Sequence, residues 1–186
     1  MITKPAIRHA ALSIIGLVLA SCSAPKVRLD APPTAEHVDL ARYTGRWHEI
    51  ARLPAPFQKD DEAAIADYGM NADGTVSVHN IAVRRDGSQR GIKGSAKVLN
   101  PPANTKLAVR FDTWFGPLIP VPEDGNYWIL HVDERYQEAI VGTPDRKFLW
   151  LLARTPEISA QRKAALVAKA EALGFEVARL VTTQRH

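Results

Sequence analysis

Eight short stretches with the composition of β-strands follow one another between residues 47 and 154, and turn signals separate them. The stretch 75–83 is the clearest, because apolar and polar residues alternate along it as in a half-buried strand. Nothing between the stretches predicts a helix, so neighbouring strands are expected to pair antiparallel, and eight such strands can close into an up-and-down barrel around one small ligand. Strand order alone also permits other β-folds, including sandwiches. The predicted strands are 47–53, 65–71, 75–83, 91–99, 106–112, 127–133, 138–142 and 147–154.

One helix is predicted after the eighth strand. Thr155 is a suitable N-cap, Pro156 suits the first helical position, and Gly174 suits the end. An apolar stripe indicates that this helix packs against the outside of the sheet. A ninth strand, 175–181, is expected at the sheet edge. The stripe consists of Leu166, Val167, Ala170 and Leu173.

The composition limits the function classes. The 186 residues suffice for one domain with a core, and a net formal charge of +4 gives no argument for nucleic-acid binding. Sequence motifs of hydrolases, metalloproteases and phosphate-binding loops are absent, and the histidines show no metal-ligand spacing. The acidic run 60–62 is interpreted as a solvated loop. We therefore expect a protein that is not an enzyme and that uses no metal and no cofactor.

The amino-terminal residues have the organisation of a bacterial lipoprotein leader. Lys4 and Arg8 precede an apolar run, 10–20, that is too short for a transmembrane helix and suits the core of a signal peptide. Small residues then lead into Cys22, the only cysteine, and this arrangement resembles a lipobox. The resemblance implies removal of residues 1–21 and attachment of several lipid chains to Cys22, since one chain alone anchors only weakly. An ordinary secretory signal with a chance cysteine is the alternative.

The residues after Cys22 indicate to which membrane the protein is sorted and how the folded domain is attached to it. The lipoprotein resemblance implies that Ser23 directs sorting to the outer membrane, with the inner membrane as the lesser alternative. Residues 22–37 are rich in proline and alanine and are predicted to form an extended tether. The folded domain is then expected to span 38–186, facing the periplasm.

Three segments of the domain, taken in order, resemble the lipocalin family. Gly45 and Trp47 form a Gly-x-Trp motif on the first predicted strand, and segments 139–146 and 148–156 resemble the end of a lipocalin barrel. The resemblance implies an all-β fold, an eight-stranded antiparallel up-and-down lipocalin barrel with one C-terminal α-helix and a short ninth strand. It also implies that Arg154 crosses the Trp47 ring at the closed base of the barrel. Gly45, Trp47 and Arg154 are therefore expected to mark the fold rather than to touch ligand.

The lipocalin resemblance also implies a ligand class, a fatty acid or a lysophospholipid, and a role in membrane maintenance under stress. A lipid-modifying enzyme and a structural lipoprotein with a periplasmic protein partner are the alternatives, and members of this family can form homodimers. Large apolar side chains near strand ends suit the mouth of an apolar cavity, although alternation alone does not fix which strand face points inward. The candidate ligand-binding residues are Phe57, Tyr68, Phe111, Trp114, Phe115 and Tyr127.

The segment 114–122 is unusually apolar for a loop, since loops normally run over the surface and are polar. It is interpreted first as a lid over the cavity. A dimer contact, a membrane-touching tip and a contact with a protein partner are the other interpretations.

Overall fold

In the computed structural model, which describes residues 30–60, 62–114 and 120–183, one antiparallel sheet dominates the fold. Its first eight strands pair in sequence order, and the first strand also pairs with the second and the eighth, so the sheet closes on itself. The predicted eight-stranded barrel with a C-terminal helix and a ninth strand is confirmed. The elements are α1 (Leu40–Tyr43), β1 (Gly45–Arg52), β2 (Ala63–Met70), β3 (Val76–Val83), β4 (Gln89–Val98), β5 (Lys106–Phe111), β6 (Tyr127–Val132), β7 (Glu138–Gly142), β8 (Leu149–Ala153), α2 (Ala160–Ala172) and β9 (Val181–Thr182).

The strands alternate in direction, so their connections fall into two sets at opposite ends of the barrel. The segments that follow β1, β3, β5 and β7 lie at one end, which we call the open end. The segments that follow β2, β4 and β6 lie at the other, the closed end, together with α1.

Apolar residues of the sheet form two clusters, one inside the barrel and one between the sheet and α2. The change of face is clear on β6, where Ile129 belongs to the inner cluster and Trp128 and Leu130 belong to the outer one. Leu166 and Ala170 of α2 are buried against the outer cluster. The predicted packing of this helix on the outside of the barrel is therefore confirmed.

The closed end is sealed by a guanidinium that stacks on an indole. Trp47 is 0% exposed, and its Nε1 donates a hydrogen bond to the Tyr43 carbonyl oxygen at 2.8 Å. The Arg154 guanidinium carbon lies 3.8 Å from the centroid of the Trp47 ring. Gly45 has a φ of +93°, and an added Cβ would lie 3.3 Å from the Arg154 side chain, so this position favours glycine. Arg154 also donates hydrogen bonds to the carbonyl oxygens of Arg42, Tyr43, Arg46 and Tyr136.

Helix α2 begins later than the sequence predicts. The hydroxyl of the predicted N-cap, Thr155, donates a hydrogen bond to the Glu157 carbonyl oxygen at 2.7 Å. Ser159 is the N-cap instead, because its side-chain oxygen accepts a hydrogen bond from a backbone amide of the first turn. Pro156 therefore precedes the helix and does not occupy its first position.

The last strand is shorter than predicted, and α1 is an element that the sequence analysis does not predict. The chain over 175–181 contains the buried Phe175 and a single 3-10 turn at Val177–Arg179 before β9 begins. The Phe175 ring packs so closely on Gly142 that an added Cβ there would lie 2.8 Å from it. Pairing with β1 starts only after this turn.

Part of the predicted tether contacts the barrel. The Ala35 amide donates a hydrogen bond to the Ile129 carbonyl oxygen at 3.0 Å, and the Val38 amide donates one to the Ala103 carbonyl oxygen at 2.8 Å. Cys22 and the predicted leader lie outside the described residues, so the lipid anchor and the extent of the tether stay predictions. Within the described ranges, no helix combines the length and the apolar composition needed to span a membrane.

Candidate ligand-binding cavity

A cavity of about 710 Å³ occupies the middle of the barrel and reaches the open end. Its volume falls in the range of roughly 300–1,000 Å³ that is typical of small-molecule sites. Alternate residues of β2, β3, β4 and β5 point into it, and most of them are apolar. On these strands the alternating set comprises Ala64, Ala66, Tyr68, Val76, Val78, Asn80, Ala82, Arg90, Ile92, Ala96, Leu107, Val109 and Phe111.

Small inward-facing side chains keep the interior open. Ala64, Ala66, Ala82 and Ala96 all line the cavity. Ala64 and Ala82 are direct partners across β2 and β3, so two small side chains face the interior side by side. A leucine or phenylalanine at these positions would occupy the space that the cavity now takes.

The structure brings four of the six candidate ligand-binding residues together around the cavity. Trp114 is not among the lining residues, and its side chain is 88% exposed. Phe115 lies outside the described residues, so the role of the segment 114–122 stays a prediction. Gly45, Trp47 and Arg154, at the closed end, do not line the cavity. The four candidates that line it are Phe57, Tyr68, Phe111 and Tyr127.

An aromatic group stands at the mouth of the cavity. The centroid of the Phe57 ring lies 5.4 Å from that of Phe148 and 6.4 Å from that of Trp150. Phe57 is nevertheless 58% exposed, because it belongs to the segment that follows β1 at the open end. All three side chains line the cavity, so they give it an apolar entrance.

A buried arginine attaches the segment after β1 to the barrel. The Arg52 Nη2 atom donates hydrogen bonds to the Lys59 carbonyl oxygen at 2.7 Å and to the Asp60 Oδ1 atom at 3.0 Å. A carboxylate oxygen of Glu49 lies 3.6 Å from the Arg52 Nε atom. The other Glu49 oxygen accepts a hydrogen bond from the Gln58 side chain at 2.9 Å. These contacts fix the position of the aromatic mouth.

A second ion-pair cluster lies at the start of β2. Glu62 is 2% exposed, and its Oε2 atom accepts a hydrogen bond from the Arg90 Nη2 atom at 2.7 Å. The Arg84 Nε atom lies 3.5 Å from the Glu62 Oε1 atom. The hydrogen bonds from Arg90 are the main cause that lowers the pKa of Glu62 to about 2. The interpretation of the acidic run 60–62 as solvated is therefore wrong for Glu62, whose carboxylate is enclosed by two arginines.

The stability that Glu62 contributes is expected to depend on pH. The pKa of Glu62 falls from 4.5 in the unfolded chain to about 2 in the folded protein. The stability that its carboxylate contributes is therefore complete above pH 4.5, and it is lost as the pH falls to the folded-state pKa. The Glu62→Gln variant should therefore be less stable than the wild type at neutral pH, and the difference should shrink as the pH falls from 4.5 towards 2. Urea unfolding over this pH range measures that difference.

The control for this prediction is Glu176→Gln, at an exposed glutamate that pairs with Arg179 at 3.0 Å. Exposed ion pairs contribute little, so this variant should match the wild type throughout the range. A Glu62→Gln difference that does not change with pH would contradict the assignment.

Three tyrosines meet at the inner end of the cavity. The Tyr43 and Tyr127 hydroxyl oxygens are 2.9 Å apart, and the Tyr127 hydroxyl donates a hydrogen bond to the Tyr68 hydroxyl at 3.1 Å. Burial raises the pKa of Tyr68 to about 12, and it raises the pKa values of Tyr43 and Tyr127 well above the ordinary one. All three hydroxyls therefore keep their protons at neutral pH.

The sequence analysis missed polar residues of the site. Tyr43 precedes the first predicted strand and Arg90 precedes the fourth, so neither entered the candidate set, although both line the cavity. Asn80 also lines it and could have been found. It shares the alternating face of Val76 and Val78, so any register that turns those valines inward turns Asn80 inward too.

Comparison with known proteins agrees with this architecture. Residues 38–185 match the family described as a lipocalin-like domain. The chain is 38% identical to temperature-induced lipocalin-1 of Arabidopsis thaliana over 149 residues, which cover 78% of each protein. Its fold is similar to that of insecticyanin from the tobacco hornworm Manduca sexta, with a TM-score of 0.62 at 21% identity over 85% of this chain and 86% of that one. The chain belongs to the lipocalin family.

Within this family, a bacterial lipoprotein matches along most of its length. The chain is 32% identical to outer membrane lipoprotein Blc of Escherichia coli (strain K12) over 180 residues, which cover 94% of each protein.

Proposed function

We propose that this protein binds a single-chain lipid, a fatty acid or a lysophospholipid, in the barrel cavity and holds it at the outer membrane, facing the periplasm. The observation that carries the proposal is the cavity of about 710 Å³ with a mostly apolar lining and an apolar mouth. The similarity to bacterial proteins named outer membrane lipoprotein Blc supports the location. In this role the protein stores or carries lipid for membrane maintenance under stress.

Burial of an acyl chain supplies most of the free energy that micromolar affinity requires. About fifteen methylenes give a transfer free energy on the order of 12 kcal/mol. Ordering the chain and restricting its overall motion reduce this gain, and micromolar affinity requires about 8 kcal/mol. The acyl chain therefore supplies most of the binding free energy and little is needed from the headgroup, so we expect broad tolerance of chain length and saturation.

The charges on one side of the mouth favour an anionic headgroup. Arg84 and Arg90 share the single carboxylate of Glu62, so this cluster keeps a net positive charge. Arg90 also lines the cavity, and its half-exposed side chain is accessible from the open end. We therefore expect the carboxylate of a fatty acid, or the phosphate of a lysophospholipid, to lie at the open end beside Arg90.

The test is a titration of the unlipidated mature chain, residues 22–186, after removal of lipid that co-purifies with it. Palmitic acid and lysophosphatidylglycerol should each displace a fluorescent fatty acid with micromolar affinity. Native mass spectrometry should show one lipid per chain. Absence of saturable displacement by both lipids would contradict the proposal.

Cys22 is proposed as the lipid anchor. In a Gram-negative host, the wild type should fractionate with the outer membrane, because several buried acyl chains hold a protein firmly. The Cys22→Ala variant should appear in the soluble periplasmic fraction or retain its uncleaved leader. Ser23→Asp is the matched variant, and it should keep its lipid but move to the inner membrane. A Cys22→Ala protein that is cleaved and still found in the outer membrane would contradict the anchor.

A further inference from the structure

The three tyrosine hydroxyls at the inner end of the cavity have three protons to donate, but only two hydrogen bonds join these hydroxyls to one another. Tyr127 donates its only hydroxyl proton to Tyr68, so Tyr43 must be the donor in the hydrogen bond between Tyr43 and Tyr127. The Tyr68 oxygen is then an acceptor, and its own proton remains. Among the described residues, no acceptor is found for that proton.

This donor lies deep in an apolar surrounding. Tyr68 is five residues along β2 from Ala63 at the open end, or about 17 Å of extended strand. Val78 is its direct partner on β3, and both side chains line the cavity. Tyr68 is only partly buried because it faces the cavity, and a ligand that fills the cavity without an acceptor leaves this hydroxyl proton unpaired. A ligand that supplies an acceptor here therefore gains relative to one that does not.

We propose that the inner end of the cavity is a subsite for an uncharged oxygen acceptor, a hydroxyl or keto group near the far end of the acyl chain, which accepts a hydrogen bond from Tyr68. The inference rests on the proposed lipid-binding function and deepens it, since it selects chains oxygenated at the end remote from the headgroup. Among the described lining residues, Arg90 is the cationic one, and it lies at the open end. An ionised carboxylate at the inner end would therefore have no cationic side chain of the described lining to pair with.

The test compares palmitic acid with ω-hydroxypalmitic acid on the unlipidated mature chain and on two variants, Tyr68→Phe and Tyr43→Phe. Displacement of a fluorescent fatty acid gives the ratio of the two dissociation constants for each protein. In Tyr68→Phe, the affinity for ω-hydroxypalmitic acid relative to that for palmitic acid should be about fivefold lower than in the wild type, as expected for the loss of one neutral hydrogen bond. Tyr43→Phe should keep the wild-type ratio, because Tyr127 still donates to Tyr68 and the Tyr68 proton stays available.

The possible results separate the subsite from the proposed function. A ratio that Tyr68→Phe leaves unchanged overturns the subsite, while binding of palmitic acid leaves the proposed function intact. A ratio that changes in Tyr43→Phe and not in Tyr68→Phe also overturns it, since the spare proton would then lie on Tyr43. If the wild type binds neither acid, both proposals are wrong.

A second measurement does not depend on the folding of a variant. A palmitic acid analogue with an isotope-labelled keto group beside its terminal methyl is bound to the wild type, and the carbonyl stretch is recorded by infrared difference spectroscopy. A hydrogen bond from Tyr68 should lower the frequency of that stretch relative to the same compound in hexane. An unshifted carbonyl stretch would overturn the subsite.

Discussion

Replacing Trp47 by alanine is expected to lower the free energy of unfolding by about 4 kcal/mol. The side chain is 0% exposed, and its ring centroid lies 5.1 Å from that of Tyr43. The variant loses this packing, the hydrogen bond from Nε1 to the Tyr43 carbonyl oxygen, and the surface on which the Arg154 guanidinium stacks. The cavity left behind adds to the loss, because the closed end can relax only partly around it. Urea unfolding followed by circular dichroism measures the change.

The matched control is Trp114→Ala, because this tryptophan is 88% exposed. Exposed substitutions usually change the free energy of unfolding by about 0.5 kcal/mol or less. Equal effects of the two substitutions would show that Trp47 does not seal the barrel in the way described.

Filling the cavity from one strand is expected to abolish most lipid binding. In the Ala64→Trp variant, an indole enters the interior where Ala64 and Ala82 leave space side by side. The bulky ring blocks the path of the acyl chain from the mouth to the inner end. Affinity for palmitic acid should fall at least about tenfold, equivalent to 1.4 kcal/mol of binding free energy. The displacement titration described above measures this loss.

The control for the blocked cavity is Ala108→Trp on β5. Ala108 lies between Leu107 and Val109, which line the cavity, and its own side chain does not. A tryptophan there should leave the affinity for palmitic acid unchanged. If both variants bind palmitic acid as the wild type does, the lipid does not bind in the cavity.

The fold was predictable because its signals are local. Strand alternation and turn residues give the eight strands. The Gly45-x-Trp47 motif, followed in order by segments 139–146 and 148–156, selects a barrel over a sandwich through the resemblance that the three carry together. The start of α2 was not predictable in the same way. Both Thr155 and Ser159 are suitable caps, and the choice depends on the hydrogen bond that Thr155 makes to the Glu157 carbonyl oxygen.

The site was predictable only in part, because it depends on register and on long-range contacts. Tyr68 and Tyr127 were found as large side chains near strand ends, yet the hydrogen bond between them joins residues 59 positions apart in sequence. Glu62 lies in an acidic run that looks solvated, and only the fold brings Arg90 to its carboxylate. The cavity volume depends on the combined size of the inward side chains of several strands, so no single segment of the sequence predicts it.

Paramagnetic broadening by a spin-labelled fatty acid tests most directly whether the lipid lies inside the barrel. The unlipidated mature chain, uniformly labelled with a nitrogen isotope, is titrated with a fatty acid that has a nitroxide near the end of its chain. One equivalent should broaden the amide signals of Val78, Ala96 and Leu107, whose side chains line the cavity, more strongly than those of α2, which packs on the outside of the sheet. Broadening confined to α2 and other outer surfaces, or no broadening at saturating ligand, would contradict an interior binding site.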